Sequence, residues 1–178
     1  MERAPQEIRT FFITAVSANR RRLLQTDADA TLLLNLLNDD RAKGRYQVHA
    51  FVFMPDHLHL LLTPAPDVSI EKAAQYIKGG FSFRLKSQMP VWEKSFTLHR
   101  IEDPRDYESH RNYIHANPVN AHFCERAEDF PWSSANPSIA VDPSPEHFRA
   151  QRPPRGPTGF RRVDPALLPP SPLALGIE

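Results

Sequence analysis

Residues 46–63 read YQVHAFVFMPDHLHLLLT, two apolar runs separated by the pair Pro55-Asp56. Tyr46–Met54 and His57–Thr63 each have the length and apolar character of a strand. Pro-Asp is a turn-type pair that suits a hairpin connection between them. Successive side chains of a strand point to opposite faces, so Leu58, Leu60 and Leu62 enter the core while His57 and His59 share the other face. Upstream, Ile8–Ser17 (IRTFFITAVS) reads as a strand, and Asp27–Asp40 (DADATLLLNLLNDD) reads as a helix with an acidic start and a broad leucine face. Downstream, Ser69–Gln88 opens Ser-Ile-Glu-Lys and carries Ala73, Tyr76, Ile77, Phe81 and Leu85 at helical spacing. Gly79-Gly80 marks a bend or a close packing within it. Val91–Ile101 (VWEKSFTLHRI) reads as a fourth strand, and Pro104–Asn117 as a helix that Pro118 should stop. The order β-α-β-β-α-β followed by a helix predicts an α+β fold. Its sheet is a ferredoxin-like split βαβ arrangement with helices on one face, and the last helix is an addition.

The chain has 178 residues, enough for one domain with a segment left over. Eleven of the 18 prolines lie in residues 131–178, and the stretch from Gln151 onward has no helical or strand period. This predicts a folded domain over 1–134 and a Pro/Arg-rich, disordered tail over 135–178. One cysteine, Cys124, excludes an intramolecular disulfide framework and any CxxC motif. No apolar run approaches the roughly 20 residues that cross a bilayer, and the start MERAPQEIRT does not read as a signal peptide. The expectation is a soluble, cytoplasmic protein with no membrane partner.

Two imidazoles side by side on one sheet face make a ready pair of metal ligands; two histidines on a solvated sheet face give the same pattern, and a lone histidine would read as that. HExxH, an EF-hand loop, a Walker loop and GxSxG are all missing from the sequence. A closed zinc site would need two more ligands from His99, His110, His115 and Cys124, and no regular spacing ties these to the pair. An open site of two histidines and one oxygen or amide ligand suits a divalent ion that holds a phosphate. In the last helix Tyr113 and Asn117 are four apart and share a face. A tyrosine there, beside an amide able to ligate a metal, could attack a phosphodiester. Spacing alone also allows a half-buried Tyr113 and an Asn117 that simply ends the helix before Pro118. Tyr107 competes as nucleophile, but four residues beyond it stands Arg111, a cation that ligates no metal.

These strings resemble a known family. MPDHLHLLLTP, the basic strand WEKSFTLHRI, YIHANPV and EDFPWSS, in that order, resemble the single-tyrosine HUH transposases. More closely, they resemble the REP-associated tyrosine transposase subgroup of the insertion-sequence-200-like transposases, over about residues 8–135. The resemblance implies that His57 and His59 bind Mg²⁺ or Mn²⁺ and that Asn117 is the further polar ligand. It implies that Tyr113 is the nucleophile, forming a covalent 5′-phosphotyrosine link to DNA and leaving a free 3′-OH.

Net charge is only +1, so a DNA-binding surface requires local segregation, and the sequence has it. Residues 1–22 and 68–102 each carry net +3, and residues 103–130 carry net −3. Arg21, Arg22, Lys78, Arg84, Lys86, Lys94 and Arg100 are the candidate DNA contacts. Several of them interleave with Phe81, Phe83, Trp92 and Phe96 in a manner suited to single-stranded or hairpin DNA. An amphipathic helix over core aromatics gives the same pattern, above all at Phe81 and Trp92. The expected function is a metal-dependent transposase that nicks and rejoins single-stranded, hairpin-bearing DNA. Rival readings are a replication-initiator or relaxase-type nickase, a non-catalytic DNA-binding regulator, and a small-phosphoester hydrolase. The oligomeric state is left open, a homodimer included.

Overall fold

Three helices begin where a side chain can accept a hydrogen bond from the first turn. Thr26 caps α1 (Asp27–Ala42) through Asp29 N at 3.1 Å, and Ser69 caps α2 (Ile70–Leu85) through Lys72 N at 3.1 Å. Asp103 caps α3 (Pro104–Asn120) through Asp106 N at 2.8 Å, with Pro104 in the first turn, where its missing N–H costs nothing. The strands are β1 (Phe11–Val16), β2 (Tyr46–Met54), β3 (His57–Pro64) and β4 (Thr97–Arg100), and a short α4 (Glu146–Arg149) follows. The computed structural model describes residues 7–149.

The four strands form one sheet in the order β2-β3-β1-β4, and all neighbours are antiparallel. Pro55-Asp56 closes the hairpin, with Met54 opposite His57. A bulge at His49 shifts the register between Val48 and Ala50, which puts Val48, Phe51 and Phe53 on one face and Ala50, Val52 and Met54 on the other. The first set packs with Ile13, Leu58, Leu60, Leu62 and the apolar stripes of α1 and α2. Gly80 permits this packing, because a Cβ there would lie 3.0 Å from Leu36 Cδ1. The second set packs with Phe12 and Leu61 under α3, whose Tyr107 and Ile114 are buried. The sheet is therefore covered on both faces, and β3 carries its histidines on the α3 side.

Four sequence expectations need correction. The strand foreseen over 91–101 is only Thr97–Arg100, with one isolated bridge from Trp92 to Ser17. Between that bridge and β4, Lys78 Nζ donates to the carbonyls of Glu93 (2.8 Å), Lys94 (3.4 Å) and Ser95 (3.3 Å). The second helix ends at Leu85, since Lys86 adopts a left-handed conformation at φ 52°. Pro118 does not stop α3, which runs on to Asn120. In the last turn proline removes a single donor, and Ala121 N still reaches the Asn117 carbonyl at 3.0 Å.

The fourth concerns the boundary at 134. Ser133 bridges to Val52, Asp142 exchanges hydrogen bonds with Val48, and Arg41 pairs with Asp142 at 2.9 Å. Phe148 is buried beneath α3 with its ring 5.8 Å from that of Tyr107. Packing thus continues through residue 149, because isolated apolar residues between prolines find the sheet without any regular period. The rest of the expected tail, 150–178, lies outside the described residues. Among the described residues no helix is long and apolar enough to cross a membrane.

Candidate functional site

Alternation along β3 sets His57 and His59 beside each other, ring centroids 4.9 Å apart. Each ring is held through Nδ1. Asp56 Oδ1 lies 2.7 Å from His57 Nδ1, and Thr14 Oγ1, opposite His59 in the β1–β3 register, lies 2.7 Å from His59 Nδ1. The Asp56 carboxylate only accepts, so His57 Nδ1 donates to it and Nε2 keeps its lone pair; the Thr14 hydroxyl can accept from His59 Nδ1 to the same effect, which is how a second set of contacts orients metal-binding imidazoles. Burial, reinforced by the charge of His57, pushes the pKa of His59 down to about 3, so its imidazole is neutral at neutral pH. Burial acts to raise the Asp56 carboxyl, but the hydrogen bonds and charges of His57 and Arg20 outweigh it and hold the group below the usual carboxylate range.

Tyr113 enters from α3. Its ring centroid is 5.3 Å from that of His59 and 6.0 Å from that of Phe12, and the residue is 39% exposed. Asn117, one helical turn further on, lines the same cavity of about 690 Å³ as His57, His59 and Tyr113. Tyr107 is elsewhere, buried between His49 and Phe148, with burial raising its phenol to about 12. Of the two tyrosines, only Tyr113 faces the histidines and the solvent together.

Of the cationic candidates, Arg22 lines the cavity. Arg21 turns its guanidinium to the carbonyls of Ala18 and Pro90. Lys78 holds three carbonyls, and Arg84 pairs with Asp39 at 2.8 Å. Lys86, Lys94 and Arg100 are exposed and lie outside the cavity. Sequence reasoning missed Thr14, Arg20, Asp56, Asn120 and Phe123, all of which line it. Asn19 and Arg20 take left-handed backbone conformations (φ 56° and 49°), a strained pair that sets Arg20 at the rim. Asp56 had a signal in its place beside His57, and Asn120 stands three residues beyond Asn117 on α3, a helical spacing hidden by the expectation that Pro118 ends the helix; the others arrive through cross-strand register or loop geometry.

The family described as transposase IS200 like matches residues 10–117, a span that runs from β1 to Asn117 and includes the histidine pair and Tyr113. The chain belongs to the IS200-like transposase family. Among its relatives is the REP-associated tyrosine transposase of Escherichia coli K12, 29% identical over 134 residues, covering 74% of this chain and 79% of that protein. A Haemophilus influenzae protein assigned to the same REP-associated group is 28% identical over 159 residues, with 78% and 86% covered. The solved structure of a REP-associated tyrosine transposase bound to a REP hairpin superposes with a TM-score of 0.64 at 22% identity, covering 92% of this chain and 98% of that one. This IS200-like chain therefore shares its fold with a REP-associated transposase, as the order of its sequence motifs implied.

Proposed function

We propose that this IS200-like protein is a DNA transposase that nicks and rejoins single-stranded, hairpin-bearing DNA through a covalent 5′-phosphotyrosine at Tyr113. The observation that carries this reading is the partly exposed Tyr113 ring, 5.3 Å from buried His59, in one cavity with His57 and Asn117. We read the sheet as a ferredoxin-like split βαβ, with β3 inserted between β1 and β2, and the catalytic unit as extending through residue 149. Its place of action is the cytoplasm.

The donor set fits a divalent ion. Two Nε2 lone pairs are left free by Nδ1 contacts, His59 is kept neutral, and the Asn117 amide stands on the adjoining helix face. His57, His59 and Asn117 would hold Mg²⁺ or Mn²⁺, which polarises a phosphoryl oxygen when bound. The rest is the work of the chain. Tyr113 Oη forms a bond to phosphorus as the P–O3′ bond breaks. The phenol proton passes to water in the open cavity, and the departing oxygen takes one up as a 3′-OH. The phosphodiester is conserved as a tyrosyl ester, so attack by a 3′-OH reverses the step without ATP. Arg20 and Arg22 offer charge to the flanking phosphates, and exposed Phe123 offers a face on which a base can stack. The hairpin held by the solved relative supports hairpin DNA as the partner.

The test uses a labelled hairpin oligonucleotide with a single-stranded flank, and the same sequence annealed to its complement. With Mn²⁺ the native chain should form a denaturation-resistant adduct on the first only. EDTA should abolish it, and Tyr113→Phe should form none while still binding the hairpin. An adduct formed by Tyr113→Phe, or equal cutting of the duplex, would overturn the proposal.

A further inference from the structure

A second group of metal-ligating side chains stands apart from the cavity. His99 on β4 and Asp106 and His110 on α3 bring three ligand atoms within 4.8 Å of one another. His99 Nε2 is 2.9 Å from Asp106 Oδ2, and His110 Nδ1 is 2.9 Å from Asp106 Oδ1. The two imidazoles stack with centroids 4.6 Å apart and planes 18° from parallel. The Glu102 amide donates to Asp106 Oδ2 at 3.0 Å, which fixes the carboxylate in place. Phe12 separates the group from the histidine pair, its ring 4.8 Å from His110 and 5.4 Å from His59.

We propose that His99, Asp106 and His110 form a second metal site, taking a borderline transition ion of the Zn²⁺ class. Without an ion the rings reach Asp106 as hydrogen-bond donors, His99 Nε2 to the carboxylate and His110 Nδ1 to the carboxylate and to the Asp106 carbonyl at 2.9 Å. A divalent ion replaces those two ring protons at a single position between the three groups. Two imidazole nitrogens with one carboxylate oxygen favour Zn²⁺, Co²⁺ or Ni²⁺ over Mg²⁺, which prefers oxygen ligands and keeps its waters. The three side chains are only partly buried, so the ion has a path from solvent. Its effect would be local: β4 is a four-residue edge strand with every residue exposed, and the ion would fasten it to the helix that bears Tyr113. Of two metal equivalents, the one held by His57 and His59 rests on the proposed function, and the one held by His99, Asp106 and His110 does not.

The experiment is calorimetric titration of the full chain with Zn²⁺, together with Co²⁺ titration read by visible d–d absorption. The native chain should take up two equivalents. His99→Gln and His110→Gln, which keep a hydrogen-bonding side chain, should each lose one of them. His57→Ala should keep the equivalent that His110→Gln loses, and that equivalent should not form with Mg²⁺. Imidazole NMR of the native chain supplies a readout free of substitutions, with Zn²⁺ shifting His99 and His110 as well as His57 and His59. Uptake of a single equivalent that disappears in His57→Ala, or a Zn²⁺ response of the His57 and His59 rings alone, would overturn the second site.

Discussion

Lowering the pH from about 7 to about 5 should weaken the fold by about 2 kcal/mol through His59 alone. The ring is buried to 5% exposure, and burial with the neighbouring His57 takes its pKa from the usual 6.5 to about 3. In the unfolded chain that ring returns to the ordinary histidine range. Below about 6.5 the unfolded state binds a proton that the native state refuses. The contribution is thus complete above about 6.5 and is lost progressively as the pH falls toward about 3. At about pH 5 the unfolded ring is roughly 1.5 units below its pKa, and 1.36 kcal/mol per unit makes about 2 kcal/mol. For a chain of this size that corresponds to a fall in melting temperature of about 4–8 °C. His49 and His115 are also lowered, each chiefly by burial, so the measurement must isolate one ring. Urea unfolding in EDTA at several pH values, for the native chain and for His59→Gln, does so. The variant should show the shallower dependence by this amount. Identical slopes would refute the claim that His59 is held neutral by its site.

Asp56→Ala should lower Mn²⁺ affinity by about 10- to 100-fold in calorimetry, because His57 loses the carboxylate that fixes its tautomer and orientation. Phe148→Ala should cost about 3 kcal/mol in denaturant unfolding, since it empties a buried aromatic site beneath α3. Truncation after residue 134 should cost more, because the Arg41–Asp142 pair and the contacts to Val48 and His49 go with it. Arg22→Ala should weaken hairpin binding and reduce the logarithmic salt slope by about one, whatever the flanking sequence.

The hairpin was the most legible part of the chain, because the alternation His57-Leu58-His59-Leu60 next to a turn pair leaves one way to bury Leu58, Leu60 and Leu62 together. The pairing of Tyr113 with Asn117 was equally open, since helical spacing is local information. What the sequence hid was non-local. Thr14 supports His59 only because β1 and β3 pair in one particular register, and no string near residue 14 announces it. Lys78 looked like a DNA contact by charge, yet its ammonium is spent on three carbonyls brought to it by the fold. The stretch 91–101 had the composition of a strand throughout, yet only Thr97–Arg100 runs along β1 as a strand, with Trp92 bridging Ser17. Phe148, buried from a single helical turn, and Val141 and Ile139, half-buried against the core, were invisible because so short or irregular a segment buries single side chains without periodicity.

Residues 132–143 lie along the outer side of β2 and occupy its outward hydrogen-bonding groups at Val48, Phe51 and Phe53. The two margins of the sheet are consequently unequal in how they meet other chains. One is sealed by its own polypeptide and offers no template for an incoming strand; the other, β4, is short and carries a histidine and an arginine. Chains that lose the segment would expose a long apolar margin of Val, Phe and Met. Self-association of such truncated chains would proceed by strand addition at β2, while the intact protein stays resistant to it on that side.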